Sequence, residues 1–114
     1  FYEDLFKNVD GVQFLEEPQG YMSNRWLSCI LLEQSENKKL SPEDFRLHLE
    51  QDNIESRPLW KPMHMQPLYK GAAYFGGAVA EELFQKGICL PSGSNLTSQD
   101  KERIQKSIQS FLNS

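Results

Sequence analysis

Within eight residues, R-P-L-W-K-P-M-H, the stretch from Arg57 to His64 carries a guanidinium, an indole, an ammonium and an imidazole. Pro58 and Pro62 stiffen the backbone between them, so little conformational entropy is left to lose when a ligand binds. Arg57 can take a phosphate or carboxylate through two parallel N–H groups, and Lys61 can act on the same anion as a point charge. Trp60 can stack on a sugar or base, and His64 can donate to an anion or hydroxyl. Spacing alone favours a plainer reading, a proline-rich connection whose Trp and Met side chains plug a neighbouring surface. A second polar group, Ser23-Asn24-Arg25-Trp26, leads into the most apolar run of the chain. Polar residues at strand ends commonly line sites in layered α/β folds, although the same four residues make an ordinary turn.

Other chemistry is harder to find. Gly76-Gly77 ahead of a helix could receive an anion on free N–H groups, but two glycines more often make a turn or hinge. His48 falls on the apolar face of a helix and reads as a satisfied core histidine. With two histidines and no paired cysteine motif, no zinc site is expected, and no G-x-S-x-G elbow occurs. Asn95-Leu96-Thr97 matches a glycosylation acceptor and reads more simply as a loop with a helix cap. Lys38, Lys39, Lys101 and Lys106 belong to polar surfaces. Lys61 alone has a potentially enclosed setting, and no lysine reads as a Schiff-base nucleophile.

The elements that must position these residues follow from pattern. Tyr2, Leu5, Phe6 and Val9 have helical spacing and read as the last turns of a longer helix, stopped at Asp10-Gly11. Val12–Leu15 reads as a short strand, and 17–20, E-P-Q-G, as a turn. Trp26–Glu33 is the best strand, nearly continuously apolar and so expected to be central and covered on both faces. Residues 34–39 are expected to form a polar surface loop. Ser41-Pro42-Glu43-Asp44 is a strong helix start, with Phe45, His48 and Leu49 on one face and an end near Asn53. Three prolines between 55 and 70 exclude a regular helix or central strand, and an ordered extended loop is expected. Ala78–Lys86 reads as a short helix ended by Gly87, Ile88-Cys89-Leu90 as a buried strand, and Thr97 as the cap of a last helix striped by Ile104, Ile108, Phe111 and Leu112. The expected fold is α+β, a small α/β layered domain with about three mainly antiparallel strands and helices packed on the sheet.

Composition sets the outer limits. The chain has 114 residues, 25% charged and 39% hydrophobic, with a net charge of −4. That fits one soluble domain able to bury roughly two-thirds of its unfolded surface. Scattered basic residues argue against a nucleic-acid surface, and no run approaches a membrane span. The start at Phe1 suggests a fragment or processed chain, and no signal peptide is seen. Cys29 and Cys89 are expected to be buried structural thiols in a reducing cytoplasm, with a disulfide geometrically possible.

The runs NIESRPLWKPMHMQPLYKG and AEELFQKGICLPSGSNLTSQD resemble the C-terminal end of the DegT/StrS family of nucleotide-sugar aminotransferases. SNRWLSCILLE resembles the same family's first small-domain strand, and the likeness runs from about Gly11 onward. The branch most resembled is that of exopolysaccharide and bacillosamine-pathway enzymes. The resemblance implies a fold-type I enzyme whose larger N-terminal domain holds pyridoxal phosphate on a lysine absent from this chain. It implies glutamate as amino donor, a 4-keto nucleotide sugar as acceptor, a cytoplasmic homodimer, and a role in surface-polysaccharide synthesis. Residues 1–10 would end an inter-domain helix and 11–114 would form the C-terminal small domain, inactive alone. It carries over Arg57 and His64 as substrate contacts, with Trp60, Lys61, Asn24 and Arg25 beside them. Two alternatives stand: a freestanding α+β binding module, and a family member acting as a sugar dehydratase.

Overall fold

The computed structural model describes residues 1–33 and 40–114, so the loop expected at 34–39 lies outside the described residues. Helix α1 (Tyr2–Phe6) is followed by strands β1 (Val12–Phe14) and β2 (Ser28–Leu32) and helix α2 (Pro42–Gln51). Then come β3 (Arg57–Pro58), two 3-10 turns (Met63–Met65 and Pro67–Tyr69), α3 (Val79–Lys86), β4 (Gly87–Leu90) and α4 (Ser98–Leu112).

The strands form one antiparallel sheet in the order β1-β2-β4-β3. The expected sheet thus has a fourth member, β3, inside the proline-rich stretch. Pro58 is tolerated there because β3 is an edge strand, where a missing N–H breaks no inner ladder bond. β2 is central, as its apolar run implies, but it begins at Ser28. Burial along it alternates: Ile30 and Leu32 are buried while Cys29 and Leu31 are half-buried. One sheet face therefore meets the main core and the other only a partial cover, which narrows the expectation of a strand covered on both faces.

The core lies between the inner sheet face (Ile30, Leu32, Ile88, Leu90) and the apolar stripes of α2 (Phe45, Leu49) and α4 (Ile104, Ile108). α1 adds Tyr2 and Phe6, and the Tyr2 hydroxyl donates to Pro91 O at 2.7 Å. Burial pushes that phenol's pKa up. Both long helices start on side-chain caps. Ser41 Oγ accepts from Asp44 N at 3.2 Å, with Pro42 in the first turn. Thr97 and Asp100 form a reciprocal capping box, Thr97 N donating to Asp100 Oδ2 at 2.8 Å. His48 Nε2 meets Ser107 O at 3.1 Å, the satisfied core histidine that its position implies.

Gly87, where α3 runs directly into β4, is required by close packing. A Cβ there would lie 2.1 Å from Leu59 Cδ1 and 2.6 Å from Leu83 O. Leu59 can therefore lie across the start of β4, and its N–H donates to Gly87 O at 3.3 Å. This contact seats the proline-rich stretch on the sheet.

Candidate functional site

The stretch that carries the candidate chemistry is ordered but faces outward. Trp60 is 67% exposed and Trp26 70%, and their ring centroids lie 5.9 Å apart. This aromatic pair brings the turn before β2 beside the 57–64 segment, two regions that the sequence nominated separately.

The turn itself is built by its own side chains. Asn24 Oδ1 accepts from Trp26 N at 3.1 Å and Ser23 Oγ from Arg25 N at 3.1 Å. Arg25 sits in the left-handed region, φ 53°, uncommon for a residue with a Cβ. Its guanidinium reaches Glu17 at 3.0 Å and Glu3 at 3.8 Å. Asn24 therefore serves the local backbone and Arg25 ties the turn to α1.

Arg57 lies on edge strand β3 opposite Cys89, and its Nε donates to Glu55 Oε1 at 2.6 Å. Both side chains of this pair are exposed. Such surface pairs are worth at most about 1 kcal/mol, so an incoming phosphate can displace Glu55. Arg57 and Arg46 also line a cavity of about 560 Å³ with Glu50, Glu55 and Ser56. Lys61 is exposed, and its carbonyl accepts from the Gln66 amide at 3.3 Å.

His64 is half-buried in a small cluster of its own. Its Nε2 lies 2.8 Å from Glu81 Oε1 in the first turn of α3, and its ring stacks 3.9 Å from that of Tyr74. The Tyr74 hydroxyl donates to Gly77 O. His64 thus pins the proline-rich stretch to α3, a helix with no buried residue of its own. The sequence reading missed Glu81 and Tyr74. The acid lies 17 residues from His64 beyond a glycine turn, and no local spacing links them. Gly76, at φ 128°, makes that turn. Glu81 and Glu82 occupy the first turn of α3, so an anion arriving there meets two carboxylates.

Among the described residues, the lysines do not fit a pyridoxal phosphate site. A Schiff-base lysine requires desolvation and a lowered pKa. Lys7, Lys61, Lys70, Lys101 and Lys106 are exposed. Lys86 donates to Glu33 Oε1 at 2.9 Å, and that hydrogen bond, then the carboxylate charge, raises its pKa. Among the described residues, no three His, Cys, Asp or Glu side chains group as a metal site. Nor, among the described residues, is any helix long and apolar enough to cross a membrane.

A profile of the DegT/DnrJ/EryC1/StrS aminotransferase family matches residues 1–109. The chain is 44% identical over 107 residues to EpsN of Bacillus subtilis (strain 168), named as a pyridoxal phosphate-dependent aminotransferase. That match covers 90% of this chain and 26% of EpsN. It is 33% identical over 110 residues to the GDP-perosamine synthase of Escherichia coli O157:H7, covering 95% of this chain and 29% of that enzyme. The chain therefore spans little more than a quarter of the length of these relatives. Among solved structures, a DegT DnrJ EryC1 StrS aminotransferase from Brucella abortus superposes over 99% of this chain and 29% of its own, with a TM-score of 0.75 at 27% identity. The aminotransferase TlmJ from Streptoalloteichus hindustanus shares the fold with a TM-score of 0.80 at 19% identity, over 98% of this chain and 29% of its own. With the profile extending over nearly every residue and the fold agreeing, the chain belongs to the DegT/DnrJ/EryC1/StrS aminotransferase family.

Proposed function

We propose that this chain is the C-terminal small domain of a pyridoxal-phosphate-dependent aminotransferase, and that it forms the sugar-nucleotide-facing wall of that enzyme's pocket. Residues 1–10 lead in from the larger domain and 11–114 form the small domain. The amino group comes from glutamate and goes to a 4-keto nucleotide sugar in surface-polysaccharide synthesis, in a cytoplasmic homodimer. The carrying observation is that Trp60, although fixed between prolines and paired with Trp26, stays 67% exposed. A stiff segment that turns an indole to solvent is preorganised for something outside its own core.

The chain's own residues bind and orient. Arg57 takes the diphosphate in place of Glu55, and the Trp26–Trp60 pair offers a stacking face to the base or sugar. Lys61 adds positive charge. His64, held by Glu81, keeps the wall in register with α3 and is the second substrate contact beside Arg57. Asn24 and Arg25 shape the turn that presents Trp26. Together these groups position the substrate and exclude water. The bond-making groups lie on another part of the enzyme, because no lysine among the described residues fits that role.

A freestanding binding module is disfavoured by the extent of uncovered apolar surface, with Leu68 84% and Phe75 90% exposed beside the wall. A dehydratase would use the same wall and differ in product, a deoxy rather than an amino sugar. The test is hydrogen–deuterium exchange on the longer enzyme with and without a nucleoside-diphosphate sugar. Slower exchange in residues 57–64 and 24–27 is expected. Protection confined to other parts of the enzyme would remove the wall assignment.

A further inference from the structure

On the sheet face turned away from the main core, Cys29 of β2 stands directly opposite Cys89 of β4 in the antiparallel register. Their sulfurs are 3.7 Å apart although 60 residues separate them in sequence. Directly opposed residues in an antiparallel pair have Cα atoms about 4.5 or 5.5 Å apart, and a disulfide spans about 4.4–6.8 Å between Cα atoms. Rotation of the side chains is enough to join them. The two thiols also differ in access. Cys29 is half-buried and lines a cavity of about 630 Å³ beside Ser28 and Ser92, whereas Cys89 is 8% exposed.

We propose that Cys29 and Cys89 are a modification site, a dithiol that a hydroperoxide closes into a cross-strand disulfide. The accessible Cys29 sulfur attacks one peroxide oxygen. The O–O bond breaks, one water leaves after proton transfer, and Cys29 becomes a sulfenic acid. The Cys89 sulfur then attacks the Cys29 sulfur, the S–O bond breaks, and the departing hydroxide takes the Cys89 proton to leave as water. Two thiols and one hydrogen peroxide give one disulfide and two waters. Burial, then the hydrogen bond with Cys29, pushes the Cys89 thiol up to about 11, which leaves the more accessible Cys29 as the first sulfur to be oxidised. Closure would lock the two central strands at the position that pairs with Arg57 on β3.

The experiment treats the folded chain with hydrogen peroxide, alkylates it with iodoacetamide without reductant, and maps the peptides by mass spectrometry. The expected result is loss of both alkylatable thiols, one intrachain Cys29–Cys89 linked peptide lighter by two hydrogens, and full reversal by dithiothreitol. In Cys89→Ser, Cys29 should instead accumulate as a sulfenic acid trapped by dimedone. Should that variant not fold, the wild-type linked peptide decides alone. The proposal is overturned if both thiols stay alkylatable while added glutathione is fully oxidised. It is overturned equally if wild-type Cys29 passes to the sulfinic acid unlinked, or if the links join separate chains.

Discussion

Trp26 and Trp60 are the chain's two tryptophans, with rings 5.9 Å apart and inclined by 33°. Indoles this close couple electronically, so the circular dichroism spectrum should show an exciton couplet. Either Trp26→Phe or Trp60→Phe should abolish it, and a couplet absent from the wild type, or unchanged in either variant, would show that the turn and the wall do not meet. Exposed as it is, the pair contributes only the lower part of the about 0.5–1.5 kcal/mol typical of aromatic contacts, so neither variant should move Tm by more than a few degrees. At this scale the sequence was informative about type and uninformative about partners. Residue chemistry alone singled out Arg57, Trp60, Lys61 and His64. Glu81 under His64 and Glu17 under Arg25 could not be read, because each depends on how irregular loops fold back and not on helix or strand spacing.

Among the elements, the helix starts were the most legible, because a cap and its N–H partner lie three residues apart. Ser41→Ala should cost about 1 kcal/mol, as loss of an N-cap oxygen generally does, measured by urea denaturation. At α4, the Thr97 hydroxyl, then the Thr97 backbone N–H, holds the Asp100 carboxyl below the usual range. A carboxyl whose folded pKa is depressed contributes fully above the unfolded value, about 3.9 for Asp. That contribution is lost as pH falls through the lower folded value. Stability should therefore drop as pH falls below about 5, and Asp100→Asn should lose part of that slope; an unchanged slope would deny the capping box its role. Glu43, held down first by Arg46, and Glu102, held down first by Lys106, act with the same sign. β3 escaped notice because prolines argue against strands, and only the edge position makes Pro58 admissible. The start of β2 was misjudged because apolar content cannot distinguish a strand residue from an exposed Trp26. Gly87→Ala should force Leu59 off the sheet and cost about 1–3 kcal/mol, the usual range for overpacking; a neutral change would mean that Leu59 is not seated there.

The molecule as a whole leaves much apolar surface uncovered. Leu15, Met22, Leu68 and Phe75 are each at least 84% exposed, and Val79 on α3 is 67% exposed. Soluble monomers rarely tolerate contiguous patches beyond a few hundred Å². The chain by itself should self-associate with rising concentration in sedimentation velocity runs. Leu68→Ser with Phe75→Ser should shift it toward monomer while leaving stability within about 0.5 kcal/mol, as expected of side chains with little packing to lose. Association unaffected by those changes would place the sticky surface elsewhere. The α+β class and antiparallel sheet were readable from periodicity, and the proline-rich stretch was readable as a surface for a ligand or a neighbour; the edge strand it also contributes was not. The most direct test of the wall is kinetic. In the longer aminotransferase, Arg57→Ala should lower kcat/KM for the keto nucleotide sugar about 10- to 100-fold, the size of a lost charge-assisted hydrogen bond. It should leave kcat/KM for glutamate within about twofold; an equal fall for both substrates, or no change for the sugar, would contradict the assignment.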